Sequence, residues 1–445
     1  MPTPLHLTLL ITDLHLGGTP LLLRDLALTL TQDSPLKTQD FKVSVISLKP
    51  LPPEPIENRK SKIENPTIPQ QLERAQIPIT SLNMTTPLHL PRALRQLTKL
   101  LADNPPDILY SMLIHANLLA TLATRRLKRK HMHTPKLIHS IHTLQPNPKW
   151  HWTLQGKLSK LGGGADALIV PAQPILDKLA HHGPLPPPQH TAVIPNGIDI
   201  DRFANATPIP PDQLPWPKDG GGVIGYVGRF DPVKNLPLLL RAFALLHSQK
   251  DPESGGGNAA ERRRVGGETG RIDGDGGMQS HANAPIPPLP HLALVGYGPQ
   301  QSELQSLATS LHIAPFVHFP GPTTTPERWY KSFTIHCLPS EVEGFGLTLL
   351  ESLAAGTPVL ALDTPVTRPL LAPYPEATLL PTPATPESLA IVLQKLIAKY
   401  HLPPPGPTQA PSATLSHLRA THSTARMAEL HANFLKNLLA SSESS

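Results

Sequence analysis

At 445 residues the chain is too long for one comfortable core, and a prior of about 150 residues per domain points to two or three domains; hydrophobic residues reach only 39% and proline 56 positions, so the apolar shortfall is expected in loops. A formal charge of +6 favours anionic partners without naming one, and 4% aromatic residues argue against the stacking platforms that bind single strands, so no nucleic-acid partner is expected. Cys337 is the single cysteine, which excludes an intramolecular disulfide and a cysteine-built zinc site and makes a reducing, cytoplasmic compartment the default.

The chain opens with Met1-Pro2-Thr3-Pro4-Leu5-His6, which carries neither a basic segment nor a small-residue cleavage site, so no secretory signal is expected. His6, Asp13 and His15 break the richest apolar run well short of the ~18 residues of a membrane span, so any membrane contact would be peripheral, at the inner surface. Short apolar runs then alternate with helical patterns, the signature of βαβ units and a parallel sheet. Strands are expected at Leu5 to Thr12, Lys42 to Leu48, Asp107 to Ser111, Lys136 to Ile141 and Ala167 to Val170. Gly17-Gly18-Thr19-Pro20 offers a turn, a Thr cap and a proline at the first helical position, which starts a helix over Leu21 to Leu30. Pro52 to Gln70 repeats Ile56-Glu57-Asn58 as Ile63-Glu64-Asn65 in polar, proline-flanked sequence with no apolar face, and reads as an insertion.

After Ile194-Pro195-Asn196-Gly197 the pattern breaks and restarts at Val223. Strands are expected at Val223 to Val227, His291 to Val295, Phe316 to Phe319, Thr334 to Leu338 and Pro358 to Ala361. Lys250 to Pro290 is rich in glycine and charge without periodicity, which predicts a flexible loop. Leu415 to Leu439 is helical in pattern and expected to pack back across the boundary. The reading is α/β, with two Rossmann-like doubly wound parallel-sheet domains: residues 1–200 for the acceptor, 201–410 for the donor, and 411–445 as the returning helix.

The strongest chemical signal is Glu341-Val342-Glu343-Gly344-Phe345-Gly346-Leu347 continuing to Glu351. Two glutamates are separated by seven intervening residues, the first in a glycine loop after a strand and the second inside a helix. With that helix starting near Gly346, Glu351 rises only about 7 Å above its start, so both carboxylates border one pocket at the carboxyl edge of the sheet. The amides at the helix start suit a phosphate, and a carboxylate one turn up suits sugar hydroxyls. Taken alone the pair reads as solvated helix charges; the strand, glycine loop and Ala354-Ala355-Gly356-Thr357-Pro358 ending favour a site. The second signal is Gly228-Arg229-Phe230-Asp231-Pro232-Val233-Lys234-Asn235, between a glycine-containing strand and a helix over Leu236 to Leu246. Arg229 can fork onto phosphate oxygens and Lys234 supplies a point charge, at the strand end where open α/β sheets bind ligands.

These two motifs, in this order, resemble the retaining glycosyltransferases of family four, which share an E-x7-E motif and an Arg/Lys pair so placed. The resemblance implies the GT-B fold, two Rossmann-like domains facing a central cleft. It extends to Ile194-Pro195-Asn196-Gly197-Ile198-Asp199 and Leu294-Val295-Gly296-Tyr297-Gly298-Pro299, and covers most of the chain outside the insertions. It implies that Glu351 binds the ribose of a nucleotide-diphosphate-sugar and Glu343 contacts the transferred sugar. Arg229 and Lys234 would hold the diphosphate, with Gly344, Phe345, Gly346 and Leu347 lining the donor site. Gly17-Gly18 is similar to the family's glycine turn facing the cleft, and His142 to its histidine near the reacting sugar; a plain helix-starting turn and one chance histidine among 22 are the rival readings. Catalytic roles fall on Glu343, Arg229, Lys234 and His142. Retention of configuration is implied, with the leaving phosphate accepting the acceptor's proton.

Asp199-Ile200-Asp201 and Asp273-Gly274-Asp275 spell D-x-D, but neither follows a strand into a pocket, so no metal and no cofactor beyond the sugar nucleotide is expected. Gly296-Tyr297-Gly298 lacks the third glycine of a dinucleotide fingerprint. Arg125, Arg126, Lys128, Arg129 and Lys130 end a helix, where basic residues complement the helix dipole or contact a membrane near a lipid-linked acceptor. Asp363-Thr364-Pro365-Val366-Thr367-Arg368-Pro369 departs from the family's glycine-rich loop and glutamate, which leaves open how that side of the donor pocket is closed. The expected function is transfer to a saccharide or lipid-linked acceptor. A sugar-nucleotide epimerase and a silent nucleotide-sugar-binding scaffold are the rivals.

Overall fold

The apolar runs pair side by side and each is followed by a segment that folds back over the sheet, so hydrogen-bonding demand is met between strands and apolar demand between layers. In a computed structural model, residues 4–15, 17–31, 41–52, 66–143, 164–181, 186, 188–217, 221–248, 289–400 and 409–443 are described. The Ile56/Ile63 repeat and most of the glycine-rich segment expected to be flexible lie outside them.

The first sheet takes β1 (Leu5–Ile11), β2 (Phe41–Ser47), β3 (Ile79–Ser81), β4 (Ile108–Met112), β5 (Lys136–Ser140), β6 (Ala167–Val170) and β7 (Thr191–Val193) in the order β3-β2-β1-β4-β5-β6-β7. The second takes β8 (Val223–Val227), β9 (His291–Val295), β10 (Val317–Gly321), β11 (Ile335–Leu338), β12 (Val359–Leu362) and β13 (Ala377–Leu380) in the order β10-β9-β8-β11-β12-β13. Every pairing is parallel. The fold is therefore α/β with two doubly wound domains. In each sheet the order reverses beside the first strand, between β1 and β4 and between β8 and β11, which opens a crevice at the carboxyl ends of those strands.

Three elements depart from expectation. The edge strands β3, β7 and β13 carry only three or four residues each, too few to show a period. The first helix spans Gly18–Thr31, because the Leu21 amide already bonds the Gly17 carbonyl at 3.1 Å; Thr19 and Pro20 lie inside its first turn rather than capping it. The end of the first insertion is ordered, since Thr67 and Gln70 form a capping box that starts the helix Ile68–Arg74.

The C-terminal pattern read as one helix is two, Ser412–His422 and Thr424–Glu443. Ser423 is extended because it forms a bridge to Ile198: the Ile198 amide donates to the His422 carbonyl at 2.8 Å and the Thr424 amide to the Ile198 carbonyl at 3.2 Å. The two helices serve different cores. Leu418 packs with the second sheet, while Met427, Ala428, Ala432, Leu435 and Leu438 join the core of the first. The chain thus crosses between domains twice at one place. Gly197 makes that possible, because a Cβ there would lie 2.6 Å from the Ser423 carbonyl oxygen.

Gly197→Ala is accordingly expected to destabilise the protein by about 1–3 kcal/mol, through backbone overlap at the double crossover. Urea unfolding checks this, and an unchanged midpoint would show that the crossover has slack.

Candidate functional site

Four loops at the carboxyl ends of β1, β5, β8 and β11 converge on the crevice between the sheets. After β8, Arg229 stands exposed with its Nε 2.9 Å from Asp231 Oδ2, and its carbonyl accepts from the Tyr226 hydroxyl at 2.8 Å. The chain turns through a short helix, Pro232–Lys234, and Asn235 closes it in a left-handed conformation with φ +50°. That turn brings Lys234 Nζ to 2.6 Å from Glu343 Oε1, and the Glu343 side chain is only 8% exposed. The two candidate ligand groups are therefore partners of one another. Asn235 Nδ2 adds a bond to Glu341 Oε1 at 3.2 Å. Removing either member of so buried a pair leaves an uncompensated charge.

After β11, Gly346 adopts φ +100°, a conformation that side chains disfavour, and opens the helix Leu347–Ala354. Gly344 lies so close to the first domain that a Cβ would collide with the carbonyl oxygen of His142. Gly18, at the start of the first helix, stands opposite Leu347, whose Cδ1 would be 3.7 Å from a Cβ at Gly18. Phe345 is buried against the crossover, with its ring edge-on to His422 at 5.7 Å. The loop Glu343 to Leu347 is thereby clamped between both domains, with the helix amides beside the Gly17-Gly18 turn.

Glu351, one turn up that helix, is partly buried and accepts a 2.8 Å hydrogen bond from the Tyr330 hydroxyl. Burial pushes its carboxyl up to about 7, against the opposing pull of the Tyr330 bond and the Arg202 charge. Tyr330 escaped the sequence reading because it ends a five-residue helix, Pro326–Tyr330, and nothing in the sequence links it to Glu351. His142 follows β5, its Nε2 2.8 Å from Ser140 Oγ; burial and the nearby His431 lower its imidazole to about 4, so it is neutral at physiological pH.

Where the glycine-rich loop was missing after β12, hydroxyls close the turn. The Thr364 amide bonds Thr367 Oγ1 at 2.9 Å, the Thr367 amide bonds Thr364 Oγ1 at 3.1 Å, and Thr367 Oγ1 donates to the Leu362 carbonyl at 2.5 Å. Arg368 forks onto Asp363 at 2.8 and 2.5 Å in solvent. The turn abuts the glycine loop, since Leu370 would be 3.2 Å from a Cβ at Gly346.

The remaining motifs lie elsewhere. Asp199 caps the helix Ile200–Ala204, accepting from the Arg202 amide at 3.1 Å, and Asp201 pairs with Arg419 at 2.8 Å. Asp273 and Asp275 lie outside the described residues, among which no group of three or more His, Cys, Asp or Glu gathers to hold a metal. Arg125, Arg126, Lys128, Arg129 and Lys130 close the helix Ile114–Arg129 at the sheet edge opposite the crevice. Beside it runs the helix Leu90–Asp103, which exposes Arg92, Arg95 and Lys99 and follows Leu88, 87% exposed. No described helix is long and apolar enough to cross a membrane.

Two family profiles match the chain, Glycosyltransferase Family 4 over residues 23–202 and Glycosyl transferases group 1 over residues 287–403. Residues 23–202 and 287–403 are thus each similar to a glycosyltransferase family. Among curated relatives is the D-inositol 3-phosphate glycosyltransferase of Streptomyces coelicolor, 28% identical over 222 residues, 46% of this chain and 41% of the relative. Its counterpart in Streptomyces avermitilis is 28% identical over 240 residues, 51% of this chain and 45% of the relative. The chain thus aligns with less than half the length of these relatives. Among solved structures, HepE of Anabaena in complex with UDP and glucose superposes with a TM-score of 0.68 at 17% identity, covering 97% of this chain and 99% of HepE. The sucrose-phosphate synthase of Thermosynechococcus elongatus gives 0.66 at 18% identity, covering 98% of this chain and 100% of that one. These likenesses establish the GT-B fold.

Because the folded carboxyl of Glu351 is raised above its ordinary value, the native state holds that proton between about pH 4.5 and 7 while the unfolded chain has lost it. Its contribution to stability is complete at low pH and declines as pH rises through that window. Glu351→Gln removes the decline, so the wild-type minus variant difference in unfolding free energy is expected to fall from pH 4.5 to 7. Denaturant titrations across the window check the slope; a flat difference would mean that Glu351 ionises normally.

Proposed function

We propose that the protein transfers a sugar, with retention of configuration, from a nucleotide-diphosphate-sugar to a saccharide or lipid-linked acceptor. The observation that carries this reading is the buried Lys234–Glu343 pair facing the Gly17-Gly18 turn and His142 across the crevice. In this pair each charge masks the other. A donor diphosphate would draw Lys234 away with Arg229 and the amides of Phe345 to Leu347, and so release the Glu343 carboxylate to accept hydrogen bonds from sugar hydroxyls. Glu351 then accepts from the ribose.

The sugar–phosphate bond breaks with charge building on the departing diphosphate, so preorganised cations and amides supply the main stabilisation. The leaving phosphate oxygen takes the acceptor's proton, which requires no side-chain base and, in this reading, no metal. Closure of the crevice excludes water and limits donor hydrolysis. UDP in the HepE complexes makes a uridine donor the first to test.

A thermal-shift series with UDP, GDP, ADP and their sugars, with and without EDTA, tests the donor site. Stabilisation of a few degrees by one nucleotide at saturation is expected, retained in EDTA and lost in the Arg229→Ala/Lys234→Ala variant. A folded protein that no nucleotide stabilises would overturn the reading in favour of a scaffold. Loss of the shift in EDTA would overturn the metal-free mechanism alone.

For a lipid-linked acceptor, the basic outer face of the first domain is the side that meets the membrane. Arg92, Arg95, Lys99, Arg126, Lys128, Arg129 and Lys130 stand exposed on two neighbouring helices there, and each cation contributes about 1 kcal/mol at an anionic surface. Sedimentation with phosphatidylglycerol vesicles is expected at low salt, absent with phosphatidylcholine and lost in Leu88→Ser/Arg126→Glu/Arg129→Glu. Equal sedimentation of that variant would point to a saccharide acceptor reached from solution.

A further inference from the structure

The first sheet carries a second polar cluster at its carboxyl edge, on the opposite side of β1 from His142. β1 and β2 run in register with Ile11 beside Ser47, and the pairing continues past both strands: the Leu48 amide donates to the Ile11 carbonyl at 2.9 Å and the Lys49 amide to the Thr12 carbonyl at 3.0 Å. Asp13 and Lys49 are thereby neighbours. The Lys49 carbonyl accepts from the Ser47 and Ser81 hydroxyls, each at 2.9 Å, so its backbone is held from β1, β2 and β3 at once while half of its side chain stays exposed. His15 follows on the loop after β1, and the Gly17-Gly18 turn begins two residues later.

The contacts in this cluster are open. Asp13 Oδ2 lies 3.5 Å from Lys49 Nζ, and Asp13 Oδ1 lies 3.7 Å from Nδ1 of His15 and 3.4 Å from its amide. Hydrogen bonds between a cationic nitrogen and a carboxylate close to about 2.7–2.9 Å, as Lys234 and Glu343 do at 2.6 Å. Asp13 and Lys49 therefore attract without saturating each other, and the ammonium keeps donors and the carboxylate keeps lone pairs for a ligand. A hydroxyl suits this arrangement because one oxygen both donates and accepts. It can donate to Asp13 and accept from Lys49, and hydroxyls on neighbouring carbons can divide the pair between them. An ionised phosphate gains Lys49 but stands against the Asp13 charge, which already balances that cation.

We propose that Asp13 and Lys49 form a subsite for a neutral, hydroxyl-rich sugar ring of the acceptor, beside the Gly17-Gly18 turn and apart from the donor contacts. That the bound ring is the acceptor rests on the donor-site reading above; that the cluster binds it does not. The ring is the terminal sugar of a free saccharide or of a lipid-linked glycan, which present the same hydroxyls.

Saturation-transfer NMR on the full-length protein tests the subsite. The neutral probes are the methyl glycosides of glucose, galactose and mannose and myo-inositol; the charged ones are glucose 6-phosphate and D-inositol 3-phosphate. At least one neutral probe is expected to receive saturation, to lose it several-fold in Asp13→Asn and in Lys49→Met, and to retain it in Arg229→Ala/Lys234→Ala. Stronger transfer to a phosphorylated probe than to its neutral counterpart would make the cluster an anion site and overturn the proposal. Absence of transfer to every neutral probe, or transfer that survives in the folded cluster variants, overturns it as well.

Kinetics then test the acceptor role. With the sugar nucleotide that stabilises the protein in the thermal-shift series, the bound probe is expected to be glycosylated, and Asp13→Asn to raise the KM for the probe several-fold with the KM for the nucleotide unchanged. A probe that binds without being glycosylated, or an unchanged KM for it, overturns the acceptor role. Failure of every sugar nucleotide to stabilise the protein overturns the donor reading and the acceptor role with it, while the NMR result still decides the subsite.

Discussion

The approach of Gly344 to the carbonyl of His142 sets the distance on which the remaining geometry depends. Backbone against backbone leaves no side chain to adjust, so the loop after β11 and the strand end after β5 have one relative position when the crevice is formed. From that contact the other placements follow. Gly346 turns the chain into the helix that carries Glu351, Leu347 comes opposite Gly18, and Phe345 is driven onto His422 at the crossover. The same loop begins at Glu343, so the ion pair with Lys234 is tied to the domain contact rather than to the second sheet alone. A donor that recruits Lys234 would also loosen a bond that holds this loop, which links occupancy of the site to the freedom of the two domains.

Much of the sheet was legible because parallel strands buried on both faces are nearly continuous apolar runs, and β6, β8 and β9 fall at their expected residues. The site loops were legible for a related reason. Ligand groups in a doubly wound sheet stand just after strands, and Arg229 and Glu343 each follow one. What the sequence hid is long-range. Tyr330 meets Glu351 only because the second domain stacks their helices, and His431 meets Tyr110 across 321 residues of chain. Ser423 reads as one more position in an amphipathic helix, and it is extended only because Ile198 arrives beside it. Periodicity reports which face is buried, not what is on the other side.

The threonine turn after β12 illustrates a substitution of means. A glycine-rich loop reaches tight conformations by lacking side chains; here Thr364 and Thr367 hold the turn by bonding each other and the Leu362 carbonyl. Such a turn is stiffer than the one it replaces, because its hydroxyl bonds are buried and would be left unmet if it opened. Arg368 and Asp363 satisfy each other in solvent and add little to stability. An ion pair thus stands where the resemblance calls for glycines and a glutamate, in the turn whose Leu370 abuts Gly346.

The charges of the candidate site balance one another. His142 is neutral through burial, Lys234 and Glu343 cancel, and burial raises the Glu351 carboxyl to about 7. Arg229, leaning on Asp231, is exposed to solvent, and the helix amides, which no described side chain caps, add a fixed partial positive charge. A site so balanced costs little to fold, since few uncompensated charges are buried. In the proposed reading an entering anion would separate the pair, and the charges so exposed would suit a departing diphosphate and a hydroxyl-bearing sugar. In the proposed reading, holding the two charges as an internal ion pair would reconcile a stable fold with strong electrostatic stabilisation of a departing diphosphate.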